Sequence, residues 1–178
     1  MAADADVTVR HATSDDLIAV ADLRYAWQVD EWNRPGMDRE AFRSHFAAWI
    51  SSHTEAHQCF VAEVAQSVVA FGFLCTVDGP PSPAEPARTS GILQSIFVTP
   101  AHRSSGVGGA LVSAMIAEAE AQHFRYLTLH PSAASVTFYE RLGFAAGANV
   151  LERRPLGASN GTSSALPSGS PLKEHHAH

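Results

Sequence analysis

Lysine is almost missing from this chain of 178 residues: Lys173 stands alone beside eleven arginines. Eighteen acidic against twelve basic residues give a net charge of −6, which argues against a general binder of phosphate backbones and so against a nucleic-acid function. Charged residues are only 17% of the chain and hydrophobic ones 46%, the balance of a water-soluble globular domain rather than a disordered or fibrous chain. Apolar runs such as Val68-Val69-Ala70-Phe71 are short, where a membrane span needs roughly 20 residues, so no membrane contact is expected. Met1-Ala2-Ala3-Asp4 has neither the basic start nor the apolar stretch of a secretory signal, and the expected location is the cytoplasm. Cysteine is scarce too. Cys59 and Cys75 fall in two apolar strand-like runs without metal-ligand spacing and read as buried reduced thiols. A hairpin turning near Gln66-Ser67 would set them nearly opposite, which leaves a cross-strand disulfide as the alternative. No metal site is expected.

What is present reads as alternating elements. Val7 to His11 alternates as a strand. Thr13 with Asp16 makes a capping-box pattern, followed by Leu17, Val20, Ala21 and Tyr25 at helical spacing. After the break at Arg34-Pro35-Gly36, Asp38 can cap a second helix that places Phe42, Phe46, Trp49 and Ile50 on one face. Residues 58–65 and 68–77 predict a hairpin, and the four prolines between Asp78 and Pro86 a stiff loop. A buried strand from Gly91 to Val98, a helix from about Ala110 to Gln122, a strand over 126–130, a short helix over 133–142 with Gly143 as its left-handed C′ residue, and a last strand or two within 144–153 complete the domain. Strand, glycine-rich turn, helix and strand form a parallel crossover unit, so the fold class is α/β (α+β), with domain bounds 1–156. Beyond it, 157–178 is rich in Ser, Gly and Pro and reads as a flexible tail ending in His175, His176 and His178.

The turn Arg103-Ser104-Ser105-Gly106-Val107-Gly108-Gly109 follows a strand and opens a helix. A helix start offers unpaired N–H groups and the positive end of the dipole, glycines let a phosphate approach the backbone, and Arg103 adds a permanent charge. On the glycines alone, a tight turn without a ligand is an equal reading. A P-loop would need Gly-Lys-Ser/Thr where Gly109-Ala110-Leu111 stands, and a dinucleotide fingerprint would need glycine at Leu111. The stretch instead resembles motif A of the GCN5-related N-acetyltransferases, the GNAT family. Ser95-Ile96-Phe97-Val98-Thr99-Pro100 resembles that family's fourth strand, and Ser135-Val136-Thr137-Phe138-Tyr139 through Gly143-Phe144 its motif B. The strong part covers about 91–145.

The resemblance implies a mixed, mostly antiparallel sheet flanked by helices and splayed at strands 4 and 5, with acetyl-coenzyme A as co-substrate. It implies that the loop from Arg103 to Gly109 holds the pyrophosphate, that Ile96, Phe97 and Val98 pair with the pantetheine arm, and that Ser132 and Ser135 complete the donor site. The Val98 N–H would polarise the acyl carbonyl, and Tyr139 would serve as general acid toward the departing thiolate; a core tyrosine beside Phe138 is its other reading. Direct attack in a ternary complex needs no acyl-cysteine. Where relatives carry a glutamate on the fifth strand this chain has Leu127, and Ser132 replaces the common motif-B asparagine. The base is not legible; Asp30, Glu31, Glu63 and His130 are candidates for binding or deprotonating the amine, and Asp30-Glu31-Trp32 forms either an acidic-aromatic loop suited to a cationic acceptor or a solvated helix end capped by a half-buried Trp. The acceptor is expected to be a small-molecule amine. A protein amino group and a non-catalytic acyl-coenzyme A module are the alternatives. Dimers are common in the family.

Overall fold

The computed structural model describes residues 6–147; the expected tail from 157, its three histidines and most of the stretch 144–153 lie outside the described residues. Residues 6–130 belong to one compact unit and residues 131–147 to a second.

In the first unit, β1 (Val7–His11), β2 (His57–Val64), β3 (Ser67–Asp78), β4 (Thr89–Val98) and β5 (Leu127–Thr128) lie side by side in chain order. The first four are antiparallel, whereas β5 runs parallel to β4 and is reached through the crossover helix α3 (Val107–Ala121). A parallel step requires such a crossover, because two strands of the same direction cannot be joined by a tight turn. The expected mixed sheet is therefore present.

Two helices precede the hairpin, α1 (Leu17–Tyr25) and α2 (Arg39–Ser51). The capping box forms as expected, with a single 3₁₀ turn over Ser14–Asp16 before α1. The Asp16 carboxylate accepts from the backbone and hydroxyl of Thr13, and two nitrogens of Arg10 donate to it at 2.6 and 2.9 Å. Arg10 also holds Glu63, so one guanidinium ties β1, β2 and the start of α1 together. Asp38 caps α2 by accepting from the amides of Glu40 and Ala41. Val20 and Ala21 of α1 and Phe46 and Ile50 of α2 bury against Val61, Phe71, Phe73 and Phe97 of the sheet. Alternation along β3 turns Gly72 to the opposite face, where a Cβ would stand 3.2 Å from Met115 Sδ of α3. The core thus has two layers, one on each face.

Four expectations shift, each for a local reason. The hairpin turns at Ala65-Gln66, both at positive φ (49° and 60°), one residue early; Cys59 then faces Phe73 and Cys75 faces His57. The two thiols are free and sit diagonally rather than opposite. Burial pushes Cys59 up to about 12 and Cys75 up to about 11, so neither supplies a thiolate. Helix α3 begins at Val107 instead of Ala110, because Gly106 makes the whole reversal at φ +87° and leaves Gly108 and Gly109 inside the first turn. β5 is reduced to two residues, since β4 bulges away: Ser95 (φ +54°) and Ile96 together oppose Gly72. In the second unit a 3₁₀ turn (Ala133–Ser135) leads into α4 (Val136–Glu140), and Gly143 at φ +90° takes the expected left-handed position; 144–147 are not strand. Among the described residues no helix is long and apolar enough to cross a membrane.

Replacing Gly91 with alanine would put a Cβ 2.5 Å from Leu127 Cδ2 and 2.9 Å from the Phe124 ring. Gly91→Ala should cost about 1–2 kcal/mol by overpacking and lower Tm by roughly 2–8 °C in thermal unfolding. Hydrogen bonds from Arg10, more than those from Thr13, hold the Asp16 carboxyl well below the usual range. A carboxyl depressed on folding stabilises above its unfolded value near 4, and that contribution fades as pH falls below it. The stability gap between the parent and Asp16→Asn should therefore be widest at pH 7, about 2 kcal/mol or more, and should shrink steadily below pH ~4 in denaturant titrations.

Candidate functional site

β4 is paired with β3 along its length but with β5 only at Gly91 and Ile92, so its second edge is open from Leu93 onward among the described residues. Beyond the bulge, the Thr99 amide donates to the Val69 carbonyl at 2.9 Å, flanking the pair Ala70–Val98. In an antiparallel ladder that pattern marks a pair without mutual hydrogen bonds, so the N–H and C=O of Val98 turn from β3 toward the open edge. The Val98 carbonyl accepts from Arg103 Nε at 3.0 Å. Phe97, between Ile96 and Val98, is buried on the α1–α2 side.

A 3₁₀ turn (Pro100–His102) then delivers the chain to an exposed loop, Arg103 to Gly106, and Val107 is buried as α3 begins. No side chain caps this helix start. Its first amides are available to an anion, which the dipole favours there. Ser105 Oγ donates to the His102 carbonyl at 2.7 Å, and Ser104 takes a positive φ of 61°, so both serines shape the turn. A Cβ at Gly109 would meet nothing within 4 Å. Alanine there would favour the helix by up to about 1 kcal/mol, so folding does not ask for this glycine. Open ground beside uncapped amides suits a ligand phosphate.

Arg103 is engaged on both sides. Its Nη2 donates to both Glu31 carboxylate oxygens, at 3.0 and 2.9 Å, while its guanidinium lies 5.6 Å from the Phe97 ring centre. Glu31 ends a π-helical turn (Ala26–Glu31), and its neighbour Asp30 pairs with Arg39 at 2.8 Å. Trp32 packs 5.0 Å from Trp27 under the Arg34 guanidinium and remains 47% exposed. The acidic-aromatic loop is thus neutralised by its own arginines. Glu63 is committed to Arg10, and His130 is exposed at the end of the first unit. The structure brings Glu31, Arg103 and Val98 together and leaves Glu63 in the network at β1.

Ser132, Ser135 and Tyr139 belong to the second unit. The two serine hydroxyls lie 2.8 Å apart. Tyr139 is half-buried between Phe138 and Phe144, at ring separations of 4.9 and 5.9 Å, and burial raises its phenol above the ordinary value. It is protonated at neutral pH.

One feature escaped the sequence reading. A cavity of about 300 Å³ opens between α1, α2 and the strands β2 to β4, with aromatic walls at Phe42, Trp49 and Phe73 and the bulge residues Gln94 and Ser95 on one side. Arg24, His45 and His57 are its ionisable lining; no Asp or Glu lines it. Arg24 Nη1 and His57 Nδ1 are buried without a hydrogen-bond partner among the described residues. Burial, followed by the proximity of His53, holds the His57 imidazole below its usual range, so it is largely neutral at pH 7. The signal was available: Arg24 lies four residues after Val20 and three after Ala21, on the face that α1 buries. Among the described residues no group of three or more His, Cys, Asp or Glu side chains could hold a metal ion.

A search of curated proteins found no match to the sequence. The acetyltransferase (GNAT) family model matches residues 17–144. Among solved structures, a predicted acetyltransferase with acetyl-CoA from Clostridium acetobutylicum is 18% identical, with a TM-score of 0.68 over 84% of this chain and 96% of that one. A GCN5-related N-acetyltransferase from Ralstonia eutropha JMP134 is 24% identical, with a TM-score of 0.65 over 84% and 99%. The glucosamine-6-phosphate N-acetyltransferase of Arabidopsis thaliana is 16% identical, with a TM-score of 0.64 over 84% and 98%. These likenesses show the fold, and the family model spans β4, the loop after it, α3 and α4. The chain belongs to the GNAT family of acetyltransferases, whose general reaction is N-acetylation from acetyl-CoA.

Proposed function

We propose that this chain acetylates the primary amine of a small molecule by direct attack on acetyl-coenzyme A in a ternary complex. One observation carries the reading: the open edge of β4 ends at Val98, whose N–H faces outward, and runs straight into the uncapped start of α3. When bound, acetyl-coenzyme A supplies an activated acyl thioester. The backbone of Ile96, Phe97 and Val98 would take its pantetheine arm as an added strand. The amides from Gly106 to Gly109, with the Ser104-Ser105 turn and Arg103 beside them, would hold its pyrophosphate, and Ser132 and Ser135 complete the donor site. The Val98 N–H would donate toward the thioester carbonyl oxygen, where charge develops. Tyr139, kept protonated, would give its proton to the departing thiolate, and the proton the amine loses on acylation would return through water to the phenolate. The buried thiols of Cys59 and Cys75 take no part. A cavity of about 300 Å³, half open to solvent and lined by nine residues, supports a small acceptor over a peptide, which needs an extended groove.

Calorimetric titration with acetyl-coenzyme A should show one-to-one binding by the parent and at least tenfold weaker binding by Gly108→Asp, which places a carboxylate in the first turn of α3. A folded parent that does not bind would overturn the proposal. With an acceptor found by thiol release, Tyr139→Phe should lower kcat by roughly 10²-fold or more while the affinity for acetyl-coenzyme A is unchanged. Unchanged turnover would remove Tyr139 from the chemistry.

A further inference from the structure

We infer that the acceptor amine also carries an anionic group, a carboxylate or a phosphate, and that Arg24 receives it in the cavity between α1, α2 and the sheet. This rests on the acyl-transfer reading and adds the substrate class to it. Arg24 is the permanent cation of that cavity, since a guanidinium does not lose its proton in a protein. Its Nη1 is buried and unpartnered, and every carboxylate of the neighbouring helices is taken. Asp22 pairs with Arg43 and Arg39, Asp30 with Arg39, Glu31 with Arg103, and Glu40 with Arg43. Arg24 is half-buried as a whole, yet its buried nitrogen has given up water without gaining a partner, and a ligand anion relieves that cost.

The rest of the lining agrees. It has no acidic side chain to repel an anion, and its aromatic walls fit a flat apolar body of amino-acid size. Ser95 places the cavity against the β4 bulge, three residues before Val98, so an acceptor held by Arg24 at one end can direct its amine toward the edge where acyl transfer is placed. The Asp30-Glu31-Trp32 loop, expected to draw in a cationic acceptor, has both carboxylates satisfied by arginines. With a net charge of −6, the molecule as a whole repels anions, and a built-in local cation is what recognition of one requires.

The test uses the full chain with saturating acetyl-coenzyme A and two matched pairs of amines: L-phenylalanine against phenethylamine, and O-phosphoethanolamine against ethanolamine. The anionic member of one pair should be acetylated with kcat/KM at least tenfold above its neutral partner, and the pair that shows it identifies carboxylate or phosphate. Arg24→Gln should raise KM for that acceptor at least tenfold and leave KM for acetyl-coenzyme A within twofold, and Arg24→Lys should recover part of the loss. Both variants should keep the parent's Tm or exceed it, because no internal partner is abandoned. If none of the four amines turns over, 3-phenylpropanoate and inorganic phosphate are titrated into the protein loaded with acetyl-coenzyme A. Binding of either that Arg24→Gln abolishes supports the inference. Preference for the neutral amines, equal behaviour of parent and Arg24→Gln, or no anion binding by the loaded parent overturns it. Failure to bind acetyl-coenzyme A is a separate outcome that sinks the acyl-transfer reading itself.

Discussion

The proposed acyl-donor site depends on the way β4 parts from β5. Two residues of parallel ladder, Gly91–Leu127 and Ile92–Thr128, hold the strands together at one end. Gly91 permits that contact because only a hydrogen fits where Leu127 and Phe124 press on the strand. A few residues later the bulge at Ser95-Ile96 turns β4 away, and among the described residues its outer backbone groups have no strand partner as far as Val98. A β-bulge is a device that ends pairing and re-aims the groups beyond it, and here it sits directly before the loop that opens α3. Packing enforces the geometry from both faces. Gly72 lets Met115 of α3 approach the bulge on one side, while Phe71, Phe73 and Phe97 anchor the strands to α1 and α2 on the other.

Charge is distributed to leave that region specific. Six of the described arginines, at 10, 39, 43, 88, 103 and 125, form ion pairs with carboxylates of the same chain. Most of these pairs are exposed and add little stability each, but those of Arg39 and Arg43 with Asp22, Asp30 and Glu40 remove free charge from the helices around the cavity. The Arg10–Asp16–Glu63 cluster is the exception in depth, since Asp16 is nearly buried and cannot be left unpaired.

Much of the frame was legible because it rests on local rules. Thr13 with Asp16, Asp38 before α2, the apolar face of Phe46 and Ile50, and Gly143 at the end of α4 all appear where capping chemistry and 3.6-residue periodicity put them. The motif around Gly106 and Gly108 and the family resemblance were legible for the same reason, being short and contiguous. What was not legible depends on register and on distant partners. The turn at Ala65-Gln66 decided that the cysteines sit diagonally, and no single strand records that choice. Nor does the segment Asp30-Glu31 reveal that Arg39 and Arg103 will close upon it. Arg24 stood on a buried face in plain view, yet its meaning required seeing that no carboxylate reaches it.

The two arginines beside this chemistry differ in what a ligand can add to them. Arg103 is about half exposed and already holds Glu31, an arrangement worth on the order of 1 kcal/mol or less in water. A pyrophosphate arriving at the α3 start would exchange one anion for another there, so Arg103 contributes modestly to affinity and the backbone amides carry more of the recognition. Among the described residues Arg24 has no anion to exchange. Its desolvation is already incurred in the folded chain, and an incoming carboxylate or phosphate recovers it without displacing an internal partner. Preorganisation of this kind would sharpen choice among amines, because an acceptor lacking the anion would leave the guanidinium as unfavourable as before. On the proposed reading, the donor side would be built from backbone and tolerate an acidic molecule, whereas the acceptor side would select through the half-buried Arg24.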